Sequence, residues 1–155
     1  MANEAGYAGI AVCRGCAWLW NTFYFQAEVL PVTNTDIGGG LAFCIQNSDD
    51  YYVFYYLASN GAYSLFKHTS SGWQEIVTAT ASNGINNNHD ANILGVYFDK
   101  GNIKLYINGS LVDTVNDAHP LTGGNFGIFI NDGGVDQAAD NVFVYQVDAT
   151  PTPIP

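Results

Sequence analysis

Aromatic side chains are the groups in this sequence whose type and spacing are best suited to binding a ligand. Ten Tyr, nine Phe and three Trp make up 14% of the 155 residues. Their rings offer flat apolar faces, and the Tyr hydroxyl adds a hydrogen-bonding group. With Asn, Asp and Gln side chains nearby, such rings suit the recognition of sugars, while packing in the core or between strands is the alternative for each ring. The candidate ligand-binding residues are Tyr24, Glu28, Tyr52, Tyr56, Phe66, Tyr97 and Tyr106.

Carboxylate pairs, the groups that hydrolyse glycosidic bonds, are poorly represented. The three Glu residues, Glu4, Glu28 and Glu75, fall in separate segments, and no segment alternates Glu with Asp. The other eleven of the fourteen acidic residues are Asp, and most lie at predicted turns or strand ends, where Asp bonds to backbone N–H groups. This distribution favours turn formation over acid–base catalysis and disfavours a glucanase-type enzyme.

Three Cys residues offer a second kind of chemistry. The spacing of Cys13 and Cys16 fits a local disulfide, half of a zinc site or a redox pair. A thioredoxin-type motif requires a βαβ context, and a closed zinc site requires four ligands, so a disulfide or two reduced thiols is the favoured interpretation. Cys44 alternates with apolar neighbours in a predicted strand, which is typical of a buried free thiol.

The charge of the chain excludes several classes of partner. Four Lys and Arg residues against fourteen Asp and Glu residues give a net charge of −10. Nucleic-acid backbones and anionic membrane surfaces are bound through clusters of cations, which this composition cannot supply. The sequence also has no apolar run of about 20 residues, the length that crosses a bilayer, and no signal peptide is predicted at its start. Its many Gly, Asn, Ser and Thr residues are common in extracellular proteins.

Short strands separated by turn residues must position these side chains. The dipeptides Asn60-Gly61 and Asn108-Gly109 favour type I′ hairpin turns, and the run Gly38–Gly40 indicates a bulge or a close approach of two backbones. Eleven strands in a chain of this length require two packed antiparallel sheets. The predicted strands are Tyr7–Cys13, Phe23–Val32, Leu41–Gln46, Tyr51–Leu57, Tyr63–His68, Gln74–Thr80, Ile93–Phe98, Ile103–Ile107, Leu111–Val115, Phe126–Ile130 and Asn141–Val147.

The pattern of motifs from Phe23 to Val147 resembles the concanavalin A-like lectin/glucanase superfamily. The similarity is greatest to its laminin-G-like branch and to domains of the 3-keto-disaccharide hydrolase type. The motifs that carry it are Asp50-Tyr51-Tyr52-Val53-Phe54, Gly61-Ala62-Tyr63-Ser64-Leu65-Phe66-Lys67, Gly72-Trp73, Asn102-Ile103-Lys104-Leu105-Tyr106-Ile107-Asn108-Gly109, Gly124-Asn125-Phe126-Gly127-Ile128 and Asp140-Asn141-Val142-Phe143-Val144. The resemblance implies a jelly-roll sandwich of two curved antiparallel sheets over residues 1–148. Trp73 is a further aromatic candidate for sugar binding, but the resemblance favours a packing role for it.

The resemblance also implies a structural calcium ion. Asp140 matches the position of an Asp that opens the last strand in the superfamily, and the loop with Asp132 and Asp136 supplies further hard oxygen ligands. Backbone capping by Asp140 is the alternative. The expected cofactor is therefore Ca²⁺, with Asp140, Asp132 and Asp136 as its ligands.

The expected function is that of a non-catalytic module. The resemblance implies carbohydrate binding or adhesion within a larger extracellular or cell-surface protein of bacterial type, with a neutral glycan or a protein surface as partner. Residues 149–155 alternate Thr with Pro, a composition typical of linkers to other domains. One alternative is a structural subunit or repeat of a surface assembly. The other is a glycoside-processing enzyme of the 3-keto-disaccharide hydrolase type, in which Glu28 would be the first carboxylate to test.

Overall fold

The computed structural model describes residues 9–13, 15–16, 20–32, 38–87, 90–130 and 137–147. This part of the chain contains eleven strands and no helix, so no helix in it is long and apolar enough to cross a membrane. The linker proposed for residues 149–155 lies outside the described residues. The strands are β1 (Gly9–Val12), β2 (Thr22–Pro31), β3 (Gly39–Ile45), β4 (Tyr51–Leu57), β5 (Ala62–Thr69), β6 (Gly72–Ala81), β7 (Asn92–Asp99), β8 (Asn102–Ile107), β9 (Ser110–Asn116), β10 (Asn125–Ile130) and β11 (Gln137–Gln146).

The strands form two antiparallel sheets. One has six strands in the order β1-β10-β3-β4-β5-β6, and the other has five in the order β11-β2-β7-β8-β9. The structure thus confirms the predicted all-β sandwich. Strand β11 begins earlier than predicted because Gln137 already pairs with Pro31, ahead of a bulge between Asp140 and Phe143.

Alternating side chains build the core between the sheets. Along β2, Phe23, Phe25, Ala27 and Val29 are buried, while the residues that alternate with them are partly exposed. Phe23 packs on Phe98 with ring centroids 5.2 Å apart and on Phe126 at 4.9 Å. Full burial of each such side chain contributes roughly 1.5–3 kcal/mol. The core therefore fixes which face of every strand is left for solvent.

Two of the tight turns have the backbone that their sequence predicts. Asn108 and Gly109 both have positive φ, at 49° and 82°, as a type I′ turn requires. Lys100 and Gly101 adopt the same pattern, at 49° and 97°. At the other predicted hairpin only Gly61 has positive φ, at 59°, because β4 and β5 are joined by a longer turn over residues 58–61.

A close backbone approach explains two of the consecutive glycines before and within β3. A side chain at Gly38 would overlap the carbonyl oxygen of Tyr56, and one at Gly40 would overlap that of Phe54. These two residues contact the backbone of β4 so closely that no side chain larger than the hydrogen of glycine fits. The glycines therefore let β4, the strand richest in Tyr, lie close to its neighbour.

A buried ion pair fixes β5 from the inside. The ammonium of Lys67 lies 2.8 Å from a carboxylate oxygen of Asp117, which also accepts a 2.6 Å hydrogen bond from the Tyr52 hydroxyl. Lys67 also donates to the carbonyl oxygen of His119. Burial alone would raise the pKa of Asp117, but the bonds from Lys67, Tyr52 and the His119 N–H outweigh it and hold this pKa below its usual value.

Candidate functional site

The seven predicted ligand-binding residues are divided among three places. Tyr24, Glu28, Tyr97 and Tyr106 lie together on the outer face of the five-stranded sheet, at positions that alternate with core residues. Phe66 lies on the outer face of the six-stranded sheet. The structure therefore brings four of the seven residues to one surface. Phe66 lies on the opposite side of the sandwich, and Tyr52 and Tyr56 lie in the core.

Tyr52 and Tyr56 are core residues, which corrects their assignment to a ligand. Both are 0% exposed, and Tyr52 stacks on Phe43 at 5.1 Å. The Tyr56 hydroxyl donates to the carbonyl oxygen of Val29 at 3.4 Å. The misassignment has a physical reason. Side chains alternate between the two faces of a strand, so Tyr52, Phe54 and Tyr56 share one face of β4. Because β4 is apolar on both faces, the sequence does not show which face is buried.

Trp73 is the most prominent aromatic side chain on the outer face of the six-stranded sheet. It is 53% exposed, which corrects its assignment to packing. Its indole meets the ring of His68 at 4.6 Å and that of Phe66 edge-on at 6.1 Å. Tyr51 stacks on His68 at 5.2 Å, and Tyr55 stacks on Phe66 at 6.0 Å. We call this surface the Trp73 face, formed by Tyr51, Tyr55, Phe66, His68, Trp73 and Glu75.

Beside the rings of Tyr51 and Tyr55 lies a small apolar cluster on the same outer side of the sheet. Val53 and Ala42 are fully buried there, together with Phe129 and Ile45, although this is the side of the sheet that faces away from the core. The ring of Tyr55 packs against Phe129 at 5.7 Å. Tyr51 also packs against the cluster, which therefore helps to hold these two rings of the Trp73 face in place.

Polar groups lie beside the aromatic rings. Glu75 is exposed opposite Phe66, and its carboxylate accepts a 2.8 Å hydrogen bond from Thr78. His68 Nδ1 contacts the carbonyl oxygen of Asp49; since a carbonyl only accepts, Nδ1 carries a proton, and in the neutral ring this leaves Nε2 as an acceptor. Burial, followed by the charge of Asp49, raises the pKa of Tyr51, so its hydroxyl stays a donor at neutral pH.

The loop before Tyr51 is ordered by its own side chains. The side-chain oxygen of Asn47 accepts hydrogen bonds from the backbone N–H groups of Asp49 and Asp50, at 2.7 and 3.0 Å. Its amide donates to the Asp50 carboxylate at 2.7 Å. This arrangement fixes the Asp49 carbonyl that orients His68, so the loop helps to position the Trp73 face.

A second aromatic surface covers the outer side of the five-stranded sheet. The ring of Tyr24 lies 5.4 Å from Tyr145, 6.0 Å from Tyr106 and 6.3 Å from Phe143. Its hydroxyl donates to Gln26 at 2.9 Å, and burial together with the neighbouring Tyr side chains raises its pKa. We call this surface the Tyr24 face, formed by Tyr24, Gln26, Glu28, Tyr97, Tyr106, Asn141, Phe143 and Tyr145.

The oxygen ligands of the described residues do not by themselves make a calcium site. Asp140 is paired in register with Glu28, but its carboxylate accepts from the backbone of Asn141, and Asn141 donates to Glu28. No three His, Cys, Asp or Glu side chains converge among the described residues. Calcium prefers six to eight oxygen ligands. Asp132 and Asp136 lie outside the described residues, so calcium binding stays a prediction.

Cys13 and Cys16 are joined in a disulfide, one of the interpretations that their spacing allowed. Cys44 is free and buried in the core, and burial raises the pKa of its thiol. The disulfide borders an apolar cavity of about 470 Å³ between the edges of the two sheets. The cavity is lined by Ala11, Val12, Cys13, Cys16, Phe25, Phe126, Gly127, Ile128, Val142, Phe143 and Val144, a set without the hydroxyl or amide side chains that orient a polar ligand.

Several residues of the two faces escaped prediction from sequence. Tyr51 and Tyr55 occupy the positions of β4 that alternate with its core residues, and Phe143 and Tyr145 alternate with the more buried Val144 of β11. The alternation of side chains between the two faces of a strand could therefore have identified both pairs as outward-facing. The place of His68 beside Trp73 follows from the register of β5 and β6, which sequence alone does not give.

Known structures share this fold. The chain is similar to the carbohydrate binding module CBM66 from Bacillus subtilis, with a TM-score of 0.75 and 16% identity over 91% of this chain and 83% of that chain. Sheep galectin-11 matches with a TM-score of 0.63 and 10% identity over 90% and 97% of the chains. An Aspergillus kawachii beta-fructofuranosidase matches with a TM-score of 0.59 and 14% identity, over 86% of this chain and 24% of the enzyme.

These likenesses establish the architecture. No protein-family model matches the sequence, and no curated protein matches it either. The structural matches extend over most of the chain, and they support the predicted jelly-roll sandwich of two antiparallel sheets.

Proposed function

We propose that this chain is a non-catalytic carbohydrate-binding module that holds a neutral glycan on the Trp73 face. The observation that carries the proposal is the half-exposed indole of Trp73, whose ring meets those of Phe66 and His68 edge-on. The carbohydrate-binding module and the galectin that share the fold support a sugar as the class of ligand.

The chemistry of the face suits a sugar with no charge. The indole and phenyl rings offer apolar planes on which the C–H face of a pyranose packs, while Glu75 accepts hydrogen bonds from hydroxyl groups. The Tyr51 hydroxyl can donate a hydrogen bond, and Nε2 of the neutral His68 ring can accept one. Carboxylates on and beside the face, in a chain of net charge −10, disfavour anionic glycans.

Rigid support strengthens the case for recognition. The rings of Tyr51 and Tyr55 pack against the buried apolar cluster. The Asn47 turn holds the loop that orients His68. Side chains that are already immobilised lose little conformational entropy when a ligand binds. The Trp73 face is therefore built as a preorganised surface.

The wider setting is part of the same proposal: the module belongs to a larger extracellular protein and serves attachment or adhesion. The disulfide between Cys13 and Cys16 supports an oxidising compartment, where such bonds persist. The Thr/Pro composition of residues 149–155 supports a connection to other domains.

Affinity electrophoresis through gels that contain a soluble neutral glucan, xylan, galactan or fructan tests the proposal. We expect at least one polysaccharide to retard the wild type, Trp73→Phe to keep most of the retardation, and Trp73→Ala to lose most of it. Gln74→Ala, which alters the exposed neighbour of Trp73 in β6, is the matched control and should bind like the wild type. Equal retardation of the wild type and a folded Trp73→Ala protein would contradict the proposal, as would no retardation on any gel.

A further inference from the structure

The Tyr24 face has the same two ingredients as the Trp73 face, although it lies on the opposite side of the sandwich. Phe143 and Tyr145 are 42% and 51% exposed, and their rings are stacked at 6.0 Å with an angle of 12° between their planes. Tyr24 lies against both of them. Three rings from two neighbouring strands therefore form one platform that is open to solvent.

A row of polar side chains continues from this platform along β2 and β11. Gln26 accepts from the Tyr24 hydroxyl at 2.9 Å, and Glu28 accepts from the side-chain amide of Asn141 at 2.8 Å. Asn141 reaches Glu28 because it lies within the β11 bulge with a positive φ of 49°. The bulge thus places an amide and a carboxylate beside the rings, which is the combination that sugar hydroxyls require.

The platform is also held in place from below. A side chain at Gly95 would overlap the Tyr24 hydroxyl, so the ring of Tyr24 lies across β7 toward Tyr106. Gly95 is the one glycine of β7, and it is paired with Gln26 on one side and with Tyr106 on the other. Like the Trp73 face, this surface is ordered before any ligand arrives.

The charges on the Tyr24 face distinguish between the ligands and partners that it could bind. Its described acidic groups are Glu28, Asp140 and Asp99, whereas its cation is Lys104, which lies over the Tyr97 ring at 5.6 Å. A second copy of the chain would set like charges against one another, and an anionic ligand would be repelled. A neutral polyhydroxylated ligand meets no such opposition, and the carboxylates can accept its hydroxyl groups.

We propose that the Tyr24 face is a second binding site for neutral glycan and that the module bridges two glycan chains. The two faces belong to different sheets and point away from the shared core, so one stretch of polysaccharide cannot occupy both at once. The bridging part rests on the proposed function of the Trp73 face, whereas glycan binding at the Tyr24 face stands on its own. Two attachment points would also raise the avidity for a surface that displays many chains.

Turbidity and affinity electrophoresis with the same four neutral polysaccharides test the inference. We compare the wild type, Tyr145→Ala, Tyr145→Phe and Trp73→Ala, with Thr114→Ala on the outer side of β9 as the matched control. The wild type, Tyr145→Phe and Thr114→Ala should cross-link a retained polysaccharide into a turbid suspension. Tyr145→Ala should abolish the turbidity and weaken retardation by about tenfold, while Trp73→Ala should abolish the turbidity and keep residual retardation through the Tyr24 face.

The outcomes separate the second site from the first. Unchanged turbidity and retardation in Tyr145→Ala, with both lost in Trp73→Ala, would overturn the second site and leave the first intact. Retardation that neither substitution changes would overturn both. A wild type that elutes as a dimer and becomes a monomer on Tyr145→Ala, with no change in glycan retardation, would assign the Tyr24 face to self-association instead.

Discussion

Replacing Lys67 by Met is the sharpest test of how the Trp73 face is held. Lys67 points inward between Phe66 and His68, two residues of that face. Its side chain is 6% exposed and that of its partner Asp117 is 8% exposed. Met has nearly the length of Lys without the charge, so Lys67→Met keeps the packing and leaves the Asp117 carboxylate without its cation.

The expected cost is about 3 kcal/mol of unfolding free energy. Removing one partner of a buried ion pair costs roughly 3–5 kcal/mol, because the remaining charge is uncompensated. The lower end applies here because Asp117 keeps its hydrogen bonds from the Tyr52 hydroxyl and the His119 N–H.

Urea unfolding followed by circular dichroism measures this cost. With a slope of about 2 kcal/mol per molar urea, the unfolding midpoint should fall by about 1.5 M. Lys104→Met is the matched control: Lys104 is a partly exposed lysine of β8, and its loss should lower the free energy of unfolding by about 1 kcal/mol or less. A midpoint for Lys67→Met no lower than that for Lys104→Met would refute the reasoning.

The same ion pair predicts a dependence of stability on pH. The pKa of Asp117 is lower in the folded protein than in the unfolded chain, so its contribution to stability is fully present above about pH 4 and is lost as the pH falls toward the folded-state pKa. The wild type should therefore exceed Asp117→Asn in stability at pH 7, and the difference should shrink below pH 4. A difference that stays constant down to pH 2 would contradict this assignment.

Two further substitutions test the scaffold by thermal unfolding. Asn92 is fully buried and bonds to both the backbone N–H and the carbonyl of Asn86, so Asn92→Ala should destabilise the protein by about 3 kcal/mol. Joint replacement of Cys13 and Cys16 by Ser opens a very short loop and should cost about 2 kcal/mol, or a fall in Tm of about 4–8 °C. A Tm within 1 °C of the wild type would contradict the role assigned to Asn92 or to the disulfide, respectively.

The fold could be predicted because local signals repeat along the chain. Each of the eleven predicted strands overlaps an observed one, since turn residues such as Asn108 and Gly109 punctuate alternating apolar runs. The predicted ends of the strands were less accurate where pairing with a neighbouring strand decides them. Strand β11 extends back to Gln137 because β2 offers it a partner, and no property of the β11 sequence shows this.

The candidate site was only partly predictable because it depends on which side of each sheet is buried. In β2 the alternation of Phe with polar residues placed Tyr24 and Glu28 on the outside unambiguously. In β4 both alternating sets are apolar, so Tyr52 and Tyr51 could not be told apart. The exposure of Trp73 follows from its place on β6, an edge strand of the six-stranded sheet, and sheet order is a property of the whole fold.

Tryptophan fluorescence during titration with a retained polysaccharide tests the central claim most directly, because it reports on the indole that should contact the sugar. We predict that binding changes the emission of the wild type and that Trp73→Phe still binds without this change, because the indole that should contact the sugar is then absent. The same emission change in Trp73→Phe, or binding by the wild type with no change in emission, would contradict the account.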